Sequence, residues 1–122
     1  MNITPKEVKD IVENFQEHIE ASRELNERLN KSFNSGSSHN EFTMMKLEYT
    51  EEKLLIFTEG LKLIDSIKVK KGNSYAKQYS IRFRAKGMTY QSIGKLFGLT
   101  KERIRQILNE QYELIANELN SR

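Results

Sequence analysis

Val8, Ile11, Val12, Phe15, Ile19, Leu25 and Leu29 follow one another at helical spacing, which predicts an amphipathic helix over the first part of the chain. Its start is marked by Thr4-Pro5-Lys6-Glu7. Thr4 suits the N-cap, Pro5 the first helical position, and Glu7 completes a capping box. The end is expected near Lys31. Within this helix Val8, Phe15, Ser22 and Leu29 repeat every seven residues, a narrow, coiled-coil-like seam suited to one facing helix. The opposite face carries Glu13, Glu17, Glu20, Glu24 and Glu27, with Arg23 and Arg28 at pairing distance from several of them. The seam has two candidate partners: a second copy of the chain, or the helix expected between Thr50 and Ile67.

Ser32 to Asn40 reads SFNSGSSHN, a flexible linker by composition. Phe42 to Tyr49 fits either a helical turn or a strand. From Thr50 the helical pattern is clear again. Thr50 is the expected cap, Glu51 and Glu52 favour a helix N-terminus, and Leu54, Leu55, Phe57, Leu61, Ile64 and Ile67 give a wide apolar face. Lys68 to Ser74 reads as a basic hinge. Tyr75 to Lys86 predicts a further helix closed by Gly87, and a last helix starting at Lys101 continues through Tyr112, Leu114, Ile115 and Leu119. The expected class is all-α with about five helices. Residues 1–67 form an acidic helical region for dimerisation or partner binding, 68–74 the hinge, and 75–119 a trihelical helix-turn-helix domain.

Charge sharpens that division. Residues 1–65 hold 8 Lys/Arg against 13 Asp/Glu, a net −5, and residues 66–122 hold 12 against 4, a net +8. Between Lys68 and Gln106 there are 11 basic residues and one acid, Glu102. Such a field attracts phosphate and speeds association with nucleic acid. Apolar content is 37% and charged content 30%, a thin core that suggests long helices completing their burial against a partner. The chain has no cysteine, which excludes disulfides, thiolate metal sites and a cysteine nucleophile. No apolar run approaches the roughly 18 residues that span a membrane, and the N-terminus lacks a signal-peptide layout; the expected location is the cytoplasm.

The most specific local pattern is Gly87–Leu108, GMTYQSIGKLFGLTKERIRQIL. With Gly98 as the turn glycine, Gly94 falls four residues earlier, where a small residue permits close packing. Ile93, Phe97, Leu99, Ile104 and Ile107 take the buried positions, and Thr89 and Thr100 the two N-caps. Gly98 supplies the positive φ of a sharp turn. Lys101, Glu102, Arg105 and Gln106 then share one exposed face at the start of the second helix, the part that enters a major groove. Arg105 can reach guanine O6/N7 or a phosphate, Glu102 can accept from a cytosine amine, and Gln106 can pair with adenine N6/N7. Lys101 and Arg103 suit phosphate contacts. Tyr90, Gln91 and Lys95 on the first helix lie where backbone contacts are expected. The plainer alternative for Glu102 is a surface pair with Arg105 or Gln106.

The same stretch resembles region 4 of bacterial sigma-70-type factors, the module that reads the −35 promoter element. The family signature there runs Thr-Arg-Glu-Arg-Ile-Arg-Gln-Ile; this chain has Thr100-Lys101-Glu102-Arg103-Ile104-Arg105-Gln106-Ile107. Only Lys101 departs. Ile93-Gly94-Lys95-Leu96-Phe97-Gly98-Leu99 also fits, and Ser80-Ile81-Arg82-Phe83-Arg84 resembles the preceding helix. The resemblance spans roughly residues 75–115. It implies Lys101, Glu102, Arg105 and Gln106 as base readers, with Arg103 and Thr100 near the backbone. Lys101 lacks the planar fork of arginine, so base choice at that point differs or is looser. Residues 1–74 show no counterpart of the aromatic-rich segment that melts the −10 element. The layout is that of small phage or mobile-element regulators.

The expected function is sequence-specific binding of double-stranded DNA in transcription regulation, with a homodimer as the working form and RNA polymerase as a further partner. Two alternatives differ in class: a small-terminase-like DNA-packaging subunit, favoured by ring-like oligomers, and a region 4 mimic that binds RNA polymerase or an anti-sigma partner. No enzyme, cofactor, metal or membrane partner is expected. His18 and His39 are the only histidines, and no His-Glu-x-x-His, phosphate-binding Gly-rich loop or nucleophile with a positioned base can be assembled. Tyr75, Tyr79 and Tyr90 invite a recombinase reading, but the Arg/His constellation that a tyrosine nucleophile needs has no room in this chain.

Overall fold

The computed structural model describes residues 2–35, 40–67 and 74–122. Among them are six helices and no strand: α1 (Pro5–Glu13), α2 (Phe15–Ser35), α3 (Asn40–Ser66), α4 (Ser74–Ala85), α5 (Tyr90–Phe97) and α6 (Lys101–Asn120). The fold is all-α. Residues 36–39 of the expected linker and 68–73 of the expected basic hinge, including Lys68, Lys70 and Lys71, lie outside the described residues.

The start of α1 is the capping box read from sequence. Thr4 Oγ1 accepts from Glu7 N at 3.1 Å, and the Glu7 carboxylate accepts from Thr4 N at 3.4 Å. The end of α1 differs from expectation. The single helix expected to reach Lys31 is interrupted at Asn14, whose backbone leaves the helical region at φ −109°, ψ 23°. Its side-chain amide donates to Asp10 O at 3.1 Å and Asp10 Oδ1 at 2.7 Å. An asparagine that bonds the preceding turn competes with the helix ladder, and here it breaks the helix for one residue.

The long helix α3 also begins earlier than its pattern suggested. The ambiguous segment 42–49 is helical, and Thr50 is not a cap but an interior residue, buried, with its hydroxyl donating to Lys46 O at 3.0 Å. A threonine that satisfies itself on the carbonyl four residues back does not stop a helix. α3 pairs with α2. Phe15 stacks on Phe57 with centroids 4.0 Å apart, and further along α2 His18 comes within electrostatic reach of Lys53, so the two run antiparallel. Leu25 and Leu47 are buried on α2 and α3 respectively.

The last helix, α6, is the centre of the molecule and packs on α1, α3, α4 and α5. One hydrophobic cluster joins Val8, Ile11 and Val12 of α1 to Ile56 and Ile64 of α3, Ile81 of α4, Ile93 of α5, and Ile104, Leu108, Tyr112 and Ile115 of α6. Helices α3 and α6 approach closely where α3 has Gly60: a Cβ there would lie 3.1 Å from the Ile115 side chain. The ends of the chain are clasped together. Ile3 N donates to Asn120 Oδ1, and Asn120 Nδ2 donates to Ile3 O, both at 2.7 Å. The core is therefore continuous across the boundary expected at residues 68–74. Two of the four seam residues make contacts within the chain: Val8 is buried among core residues and Phe15 stacks on Phe57 of α3. No helix among the described residues is long and apolar enough to cross a membrane.

Candidate nucleic-acid interface

Two short signals position this surface. Thr89 Oγ1 accepts from Ser92 N and Thr100 Oγ1 from Arg103 N, each at 3.1 Å, so each threonine caps the helix that follows it. Gly98 ends α5 in the left-handed region at φ 68°, ψ 31°, and Leu99 N then donates to Gly94 O at 2.8 Å. Gly94 is required for a reason more specific than helix packing. A Cβ at this position would sit 2.4 Å from the carbonyl oxygen of Leu99 in the turn itself. Ile93, Ile104, Ile107 and Leu108 are almost fully buried beneath the two helices, with Phe97 and Leu99 partly buried beside them.

That core fixes which face of α6 points outward. Lys101, Glu102, Arg105 and Gln106 are all exposed, on the side of α6 away from the buried Ile104, Ile107 and Leu108. Gln91 and Lys95 are exposed on α5, and Thr100 is exposed at the cap; Arg103 is half-buried. Among the described residues Lys95, Lys101 and Arg103 make no ion pair. Arg105 is engaged: its Nε donates to Glu102 Oε1 at 3.0 Å, and its Nη2 bonds the same oxygen. The guanidinium holds the Glu102 carboxyl below its usual range, and the carboxylate in turn favours the charged guanidinium. The surface pair weighed as the plainer reading of Glu102 is thus the arrangement of the free chain.

Tyr90 is held differently from the other expected contacts. It is half-buried, and its hydroxyl donates to Glu13 Oε1 at 3.0 Å. Arg84 of α4 donates through Nη2 to the same oxygen at 3.1 Å and through Nη1 to Met88 O at 2.8 Å, while its guanidinium lies 4.2 Å from the Tyr90 ring centroid. Burial, reinforced by the hydrogen bond to Glu13, raises the Tyr90 phenol above its ordinary pKa. This Glu13–Arg84–Tyr90 cluster joins three helices and escaped the sequence reading. Its members stand 71 and 77 residues apart, where no periodicity links them.

The basic segment is only partly free. Arg82 pairs with Asp65 at 2.6 Å and Arg84 with Glu13. What faces outward is a set of lysines, amides and one paired arginine around the first turn of α6. Among the described residues no group of three or more His, Asp or Glu residues could hold a metal ion. The chain matches no protein-family model, no curated protein and no solved structure.

Proposed function

We propose that this protein binds double-stranded DNA in a sequence-dependent manner and regulates transcription, with α5, the Gly98 turn and α6 acting as a helix-turn-helix. α4 completes the trihelical unit, and α6 enters the major groove. The observation that carries this reading is the outward set Lys101, Glu102, Arg105 and Gln106 on the first turns of a capped helix backed by a tight glycine turn. The types match base edges: a guanidinium for guanine, a carboxylate for a cytosine amine and an amide for adenine. Gln91, Lys95, Thr100 and Arg103 supply backbone contacts that set register. The likeness of Thr100–Ile107 to sigma region 4 supports a promoter-like target and makes RNA polymerase a candidate partner.

Selection of bound sites from random duplex DNA tests the reading. A defined consensus is expected, and a −35-like hexamer would favour promoter recognition, whereas a palindrome would favour a homodimer on two half-sites. On the selected site Arg105→Ala should weaken binding by about 1–3 kcal/mol and relax preference at one base pair. Lys95→Ala should weaken all duplexes alike. Recovery of no consensus, with affinity insensitive to salt, would refute sequence-specific DNA binding.

A further inference from the structure

The Glu13–Arg84–Tyr90 cluster has the make-up of an anion seat with an anion already in it. Arg84 supplies Nη2 and Tyr90 supplies its hydroxyl, and both converge on one oxygen, Glu13 Oε1, at 3.1 and 3.0 Å. The Arg84 Nε is buried and makes no hydrogen bond among the described residues. A guanidinium with a spare donor, next to a phenol, suits a group with more acceptor oxygens than a carboxylate has. The occupant is also poorly placed on its own helix. Glu13 is the last residue of α1, which has no basic residue in its last turn, and a negative charge at a helix C-terminus is disfavoured by the helix dipole. Its side chain can turn to solvent without moving α1, whose hold on the core runs through Val8, Ile11 and Val12. The seat adjoins the reading surface: Tyr90 opens α5 and its hydroxyl is within electrostatic reach of Arg105.

We propose that Arg84 and Tyr90 form a seat for a backbone phosphate of duplex DNA, and that the Glu13 carboxylate occupies this seat in the free chain. The inference rests on the DNA-binding reading above and adds a competing internal anion to it. When duplex arrives, a phosphate takes the two donors and Glu13 swings outward. The acidic first helix thereby lowers affinity for every duplex, and a site with good base contacts to α6 recovers the difference. This is discrimination by an unfavourable element rather than by an extra attraction.

The test compares wild type with Glu13→Gln on one nonspecific duplex across a salt series, with circular dichroism to check folding. Glu13→Gln should bind about 3–10-fold more tightly across the series, with the slope of log K against log salt close to that of wild type, because the same phosphate contact forms in both complexes. Tyr90→Phe keeps the ring over Arg84 and removes only the hydroxyl. It should bind severalfold more weakly, and in the double variant it should erase most of the Glu13→Gln gain. Equal affinity for folded Glu13→Gln and wild type at every salt concentration would overturn the seat while leaving DNA binding intact. Absence of duplex binding by both would overturn the DNA reading and the seat with it. If Glu13→Gln unfolds, Tyr90→Phe decides alone: a folded variant with wild-type affinity and slope refutes the proposal.

Discussion

His18 shows how a single side chain carries a measurable condition on the fold. It is half-buried on α2, its Nε2 buried without a hydrogen-bond partner among the described residues. Burial, and then the charge of Lys53 on α3, lower its pKa from the ordinary 6.5; Asp10 and Glu17 oppose this less strongly. The folded chain therefore prefers the neutral ring. A depressed histidine pKa means that the unfolded state binds the proton first, so the stabilising difference is complete above 6.5 and is lost as pH falls through the window below it. Chemical denaturation at about pH 7.5 and about pH 5 should show a loss of stability that His18→Gln reduces. An identical loss in the variant would remove His18 as its source. The cation facing it, Lys53, belongs to another helix and had no local signature in the sequence.

At the scale of elements, the two glycines around α5 are needed for different reasons and should fail differently. At Gly94 the obstacle is the Leu99 carbonyl, 2.4 Å from a would-be Cβ, and backbone cannot rotate away as a side chain would. Gly94→Ala should cost about 1–3 kcal/mol in urea unfolding and disturb the seating of α6 on α5. At Gly98 nothing lies within 4 Å of the built Cβ, and the only penalty is the φ of 68°. Gly98→Ala should therefore cost about 1–2 kcal/mol, with Gly98→Asn milder because asparagine visits that region more readily. Wild-type stability in Gly94→Ala would show that the turn does not approach so closely. These features were legible in sequence because capping and turn chemistry are local: Thr4, Thr89, Thr100 and Gly98 all act within a few residues of themselves. The break at Asn14 was not legible, since it depends on one amide choosing Asp10 over solvent. The helical character of 42–49 was hidden for another reason. Met44, Met45 and Tyr49 are left exposed while Leu47 is buried, so the apolar residues there do not mark one face.

The whole molecule raises the question of whether the acidic and basic halves are separate bodies. Charge and the sequence pattern divide the chain at residues 68–74, but burial does not follow charge. Tyr112, Ile115 and Leu119 on α6 share one cluster with Val8, Ile11 and Val12 of α1 and with Ile56 and Ile64 of α3. Ion pairs follow the same route, Arg84 to Glu13, Arg82 to Asp65 and Arg122 to Glu59, so the acidic half neutralises part of the basic one. Each large apolar side chain buried in that cluster is worth about 1.5–3 kcal/mol, and a fragment of roughly 50 residues is marginal even with its own core intact. A fragment 74–122 would expose the face of α6 that α1 and α3 cover, including Ile115, which lies against Gly60. The expectation is that this fragment loses helicity and melts without a cooperative transition, while the full chain unfolds in one step. Phe15→Glu tests the same coupling from the other side. By breaking the stack on Phe57 it should lower the melting temperature of the whole chain, including the signal from Tyr90 and Tyr112 in the C-terminal half. A fragment 74–122 that folds cooperatively, with the melting temperature of the full chain, would instead establish two independent domains and return the seam of the first helix to duty as a contact between copies.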